Sequence, residues 1–123
     1  MPEIGKNSGF VDRGDPEGWD FSLTDLIVDS EWHPLALLSI VPPNARAALI
    51  RLLAISTNVN DRIYLRRYGN VNYINVSHTF SQVAGGTLLK DCIVPLPSDR
   101  KIEYIVIGTG FTSLTMAVGG WWT

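Results

Sequence analysis

Lys101-Ile102-Glu103-Tyr104-Ile105-Val106, then Gly108-Thr109-Gly110, then Ser113-Leu114-Thr115-Met116-Ala117-Val118: these residues decide the fold. Ile102, Tyr104 and Val106 alternate with Lys101, Glu103 and Ile105, and Leu114, Met116 and Val118 alternate with Ser113, Thr115 and Ala117. Side chains on an extended strand point to opposite faces in turn, so each run buries one set and exposes the other. The Gly-Thr-Gly between them reads as a hairpin connection and not as a phosphate cradle.

The same rhythm extends outward. Ile63 and Leu65 alternate with Arg62, Tyr64 and Arg66, and Ile74 and Val76 alternate with Tyr73, Asn75 and Ser77, a strand expected to continue through His78 and Phe80. Turn signals fall at Pro42-Pro43-Asn44, Asn58 to Asp61, Gly69-Asn70, Gly85-Gly86 and Pro95 to Asp99. A break every 8–16 residues or so suits an all-β sandwich or barrel. The segment Ala45 to Ala54 is rich in helix formers and has Asn44 as a ready N-cap, yet it stands between strand-like runs. We read it as a strand, because a buried strand is also continuously apolar and tertiary context overrides propensity. The expectation is one antiparallel β-sandwich over residues 19–123, jelly-roll-like or C2-like, with about eight strands.

Residues 1–18 differ. They include Gly5, Gly9 and Gly14 but only Ile4, Phe10 and Val11 as sizeable apolar side chains, too little to offset the entropy of ordering. They read as an extended N-terminal arm. Charge is split as well: residues 1–31 carry eight of the twelve acids and only Lys6 and Arg13 of the ten bases. An acidic arm on a basic body suits folding back on its own domain or clasping a neighbour. No apolar stretch approaches the roughly 18 residues of a membrane span, and no signal peptide is readable after Met1.

Composition excludes more chemistry than it suggests. The single cysteine, Cys92, forms neither an internal disulfide nor a zinc site alone. His33 and His78 lack a second ligand at metal spacing. Asp12, Asp15, Glu17 and Asp20 crowd a Gly/Pro loop but lack the ligand periodicity of a calcium loop. Arg13-Gly14-Asp15 matches a cell-adhesion tripeptide, and a match this short arises easily by chance. No nucleophile elbow occurs, so the chain reads as non-enzymatic, without metal or cofactor. Arg62, Arg66 and Arg67 interleave with Tyr64 and Tyr68, ingredients of nucleic-acid binding; a net charge of −2 argues against that partner.

Trp32-His33-Pro34-Leu35-Ala36-Leu37, Ile40-Val41-Pro42-Pro43-Asn44-Ala45-Arg46-Ala47, Ser98 to Tyr104 and the terminal Val118-Gly119-Gly120-Trp121-Trp122-Thr123 together resemble the small β-sandwich domains of phage and prophage virion-associated proteins. Those include tail-associated modules and the disc-forming proteins of prophage lytic cassettes. The resemblance implies a ring-forming homo-oligomer without enzymatic activity, placed in a virion or in the host cytoplasm during assembly, with other virion proteins as neighbours. Calcium, which a C2-like domain would imply, lacks an Asp-rich loop pair after Trp19.

Two sets of residues carry the functional expectation. In a strand over 45–55, Leu49 and Leu53 lie on the face opposite Ala48, Ile50 and Leu52, and a two-layer sandwich buries only one face per strand. Trp121 and Trp122 send one indole to each side of the last strand. Leu49, Leu53 and one of these tryptophans are the expected oligomer interface. The alternative is a carbohydrate- or host-receptor-binding module, with Trp32, Tyr64, Tyr68 and Tyr73 as stacking platforms and Asn70, Asn72 and Asn75 as hydrogen-bonding groups.

Overall fold

The computed structural model describes residues 9–123. It is a sandwich of two antiparallel sheets containing nine strands among the described residues: β1 (Phe10–Asp12), β2 (Phe21–Ser22), β3 (His33–Ala36), β4 (Ala47–Ser56), β5 (Arg62–Arg67), β6 (Ser77–Phe80), β7 (Thr87–Pro95), β8 (Lys101–Ile107) and β9 (Phe111–Trp122). The first sheet has the order β1-β9-β4-β7, with β2 also on β9, and the second has the order β3-β8-β5-β6. From β2 onward the chain changes sheet at every step except the β5–β6 connection. That wrapping is the jelly-roll form of the two expected architectures. No helix among the described residues is long and apolar enough to cross a membrane.

The segment over 45–54 is strand from Ala47 onward, as its neighbours required. Ala48, Ile50, Leu52 and Ala54 enter the core, while Ala47, Leu49, Leu53 and Ile55 lie half-exposed on the outer face. β4 is central, between β7 and β9, so its ladder is complete on both edges. Each buried Leu or Ile contributes roughly 2 kcal/mol, more than the few tenths per residue by which helix propensity favours the other state. Ile63, Leu65, Ile102, Val106, Leu114, Met116 and Val118 close the core from the other strands.

The β8–β9 hairpin is tied from below. Buried Asp61 accepts hydrogen bonds at Oδ2 from Ser56 Oγ and from the Gly110 amide, each 2.8 Å long. Gly108, at φ 114°, sits so close that a Cβ there would lie 2.1 Å from Asp61 Oδ1. Only glycine fits.

Residues 1–8 of the predicted arm lie outside the described residues. Gly9 and Thr123 exchange two backbone hydrogen bonds, of 3.3 and 3.0 Å, and Phe10 to Asp12 then pair with Trp122 to Gly120. Arg13 ends this pairing: its guanidinium donates to both Asp20 oxygens, at 2.5 and 2.9 Å, and to the Val118 carbonyl. Arg13 of the tripeptide is thus spent inside the fold, and Asp20 also accepts the Val118 amide.

One strand begins later than its alternation predicts. Ile74 and Val76 precede β6, which starts at Ser77, and Ile74 is 95% exposed. Residues 72–75 bend instead of pairing, because Tyr73 is drawn over the sheet toward Trp32.

Candidate functional site

The outer face of the first sheet is built by strand alternation. Leu49 pairs with Ile93, Leu53 with Leu89, and between them Arg51 pairs with Asp91, its Nε 3.6 Å from Oδ1. Leu89 is 70% and Ile93 62% exposed. Two apolar cross-strand pairs thus flank one ion pair on an open surface.

A bulge decides which tryptophan joins them. Leu49 aligns with Gly120 and Ile50 with Val118, leaving Gly119 as the extra residue in β9. This shifts the phase by one, so Trp121 falls opposite Ala48 and packs against the core, while Trp122 falls opposite Ala47 on the outer face. Phe10 packs against Trp122 with ring centroids 4.8 Å apart and planes tilted by 57°, and lies over Gly120, where a Cβ would come within 2.3 Å of its ring and 2.6 Å of the Val11 carbonyl. Of the predicted interface residues, Leu49, Leu53 and Trp122 share this face; Trp121 does not. Trp19 joins it from the loop after Arg13, beside Arg51 and Ala117.

The outer face of the second sheet is covered by the chain itself. Arg66 Nε and Nη2 donate to Glu103 Oε2 across the β5–β8 ladder at 3.0 and 2.8 Å, and the Gly69 amide donates to Glu103 Oε1 at 3.0 Å. The Trp32 ring lies 3.8 Å over the Arg66 guanidinium, a cation–π contact, and its Nε1 donates to the Tyr73 hydroxyl at 3.1 Å. Beneath, Tyr64 is only 9% exposed, stacked on His78 at 4.3 Å and edge-on to Tyr73. Trp32, Tyr64 and Tyr73 therefore form one cluster, with Tyr64 as its floor. Tyr68 stands apart, its ring 5.3 Å from the Lys101 ammonium.

Trp32 is placed by the turn before it. Asp29 Oδ1 accepts hydrogen bonds from His33 Nε2 and the Glu31 amide, at 2.8 and 3.0 Å. The His33 bond first, and the Glu31 bond after it, hold the Asp29 carboxyl below the usual aspartate range.

Asn70, Asn72 and Asn75 do come together. With Gly69, Val71 and Ile74 they line a hollow of about 360 Å³ beside Tyr73. The Arg66–Glu103–Gly69 anchor under this loop, with Arg66 buried and Gly69 at the surface, is what a reading of the sequence missed. Its one signal was that an arginine-rich strand face tends to meet acids on a neighbouring strand.

Among the described residues no group of three or more His, Cys, Asp or Glu side chains stands ready to hold a metal ion, and Cys92 is buried. No protein-family model matches the chain, and no curated protein matches its sequence.

Proposed function

We propose that the chain is a non-enzymatic structural protein of a phage or prophage particle, a jelly-roll protomer that joins copies of itself into a closed ring through the outer face of its first sheet. The observation that carries this reading is the apolar surface of Leu49, Leu53, Leu89 and Ile93, continued by Phe10 and Trp122. Covering it with a second copy contributes roughly 2 kcal/mol per leucine or isoleucine, and repetition around a ring multiplies the gain. A copy of the same chain is a fitting occupant. Arg51 and Asp91 at the centre of the patch are both exposed, so each can meet the opposite charge of a neighbour as its apolar flanks close. The resemblance to virion modules supports the setting, a virion or the host cytoplasm during assembly.

Size-exclusion chromatography with light scattering tests the proposal. The native chain should elute as a single closed oligomer, and Leu53→Glu or Ile93→Glu should release monomers that keep the native far-UV circular dichroism and still melt cooperatively, at a temperature lowered by the lost association. A native chain that is monomeric at about 50 μM, where contacts of roughly 7 kcal/mol or more would hold copies together, removes the ring.

A carbohydrate- or host-receptor-binding module is the second reading, favoured by the hollow beside Tyr73.

A further inference from the structure

We infer that the loop between β5 and β6 is a binding site for one uncharged sugar residue of a glycan, with Asn70, Asn72 and Asn75 as its hydrogen-bonding groups. The inference rests on the second reading and is independent of the ring, since the loop lies at the opposite sheet from Leu49 and Leu53.

Three observations converge. First, the hollow is lined by Gly69, Asn70, Val71, Asn72, Ile74 and Asn75, with no charged side chain among them. Its size, about 360 Å³, falls near the low end of the roughly 300–1,000 Å³ range of small-molecule sites. Each amide offers two donors and an acceptor, the pattern that neighbouring hydroxyls of a sugar need, and among the described residues none of the three side chains has an internal partner. An ionic ligand would find no counter-charge in the lining.

Second, apolar groups stand at the rim without cover. Val71 is 78% exposed and Ile74 95%. A sugar ring has a C–H face as well as hydroxyls, and it is the aliphatic rim of Val71 and Ile74 that would take that face.

Third, the loop is held in place before any ligand arrives. The Gly69 backbone N–H is fixed on Glu103, the Asn70 backbone N–H on the Arg67 carbonyl, and Tyr73 on the Trp32 indole. Glu103 is in turn held by Arg66 beneath Trp32. A site fixed at three points loses little further freedom on binding, which matters most for a small ligand with few contacts.

The test is a titration of ¹⁵N-labelled protein, followed by NMR, with the methyl glycosides of glucose, galactose, mannose and N-acetylglucosamine, and with a sulfated heparin disaccharide as a charged probe. At least one neutral glycoside should give saturable shifts at the side-chain amides of Asn70, Asn72 and Asn75. The double variant Asn72→Ala/Asn75→Ala, whose side chains support no other part of the fold, should bind roughly tenfold or more weakly at an unchanged melting temperature. Leu53→Glu, on the far sheet, should bind as the native chain does whatever its oligomeric state. Absence of saturable shifts with all four neutral glycosides, shifts that map elsewhere, undiminished binding by the double variant, or preference for the sulfated probe would each overturn the inference.

Discussion

Glu103→Gln is the substitution that best weighs the cap on the second sheet. Glu103 receives donors on both carboxylate oxygens: Arg66 Nε and Nη2 on Oε2, and the Gly69 amide on Oε1. A glutamine of the same shape keeps one acceptor and turns the other into a donor, so either Arg66 or Gly69 must face an N–H. Arg66 is buried beneath Trp32, which leaves it the worse placed of the two to find water instead. Hydrogen bonds to charged groups contribute roughly 1.5–3 kcal/mol each, and breaking a buried pair by removing one partner costs about 3–5 kcal/mol. Since the pair is near the surface and Gly69 is exposed, about 3 kcal/mol is expected, roughly 10–15 °C in Tm for a domain of this size. Urea denaturation of the native chain, Glu103→Gln, Arg66→Met and the double variant Arg66→Met/Glu103→Leu supplies the measurement. Each single change should destabilise strongly, and the double should recover most of the loss, because a buried pair can be replaced by apolar groups at little net cost. A Glu103→Gln midpoint within about 0.5 kcal/mol of the native chain would refute the reasoning and make the pair equivalent to a surface salt bridge.

Gly120→Ala should detach β1, since its methyl group would meet both the Phe10 ring and the Val11 carbonyl; faster amide exchange at Gly9, Val11 and Arg13, whose amides face β9, with the core still protected, is the expected reading. Asp61→Ala should cost about 2–4 kcal/mol by chemical denaturation, because Ser56 Oγ and the Gly110 amide lose their shared acceptor in a buried place. Asp29, whose carboxyl titrates below the ordinary 3.8 in the folded chain, contributes stability that is complete above that value and lost as pH falls through its lowered one. The urea midpoints of the native chain and Asp29→Asn should therefore differ near neutrality and converge as the pH falls through the lowered value of Asp29.

The sheets were readable wherever alternation alone decides burial. β9 follows it and so does β8 as far as Tyr104, whereas Ile105 and, in β5, Tyr64 and Arg66 are buried on the face that alternation assigns to solvent, because Trp32 and Tyr73 fold over the outer side of that sheet. β4 shows that Ala, Leu and Arg, good helix formers, become strand when the chain places them between two partners. What escaped was set by contacts distant in sequence. The phase of Trp121 and Trp122 depends on a bulge at Gly119, and strict continuation of Leu114, Met116 and Val118 would have assigned the two indoles the other way round. Ile74 and Val76 carry a strand pattern, yet Tyr73 bonds Trp32, 41 residues earlier, and pulls the loop out of register. Arg66 and Glu103 stand 37 residues apart, and only the β5–β8 pairing makes them partners. Likewise β1 and β2, three and two residues long, show no alternation to detect; they exist because the edge of β9 was open to them.

The seam where Gly9 meets Thr123 has a mechanical consequence. The two residues face each other at one end of an antiparallel ladder, so tension applied through them pulls along the direction of the hydrogen bonds and opens that ladder one rung at a time, like a zip. The peel runs through Phe10, Val11 and Asp12 and then meets Arg13, which is tied across to both Asp20 and the Val118 carbonyl. Four residues freed at about 3.3–3.6 Å each give roughly 14 Å of slack before that latch takes the load. A protomer held by this seam would therefore yield a short, fixed distance under strain and then stiffen, with both sheets of the sandwich still closed.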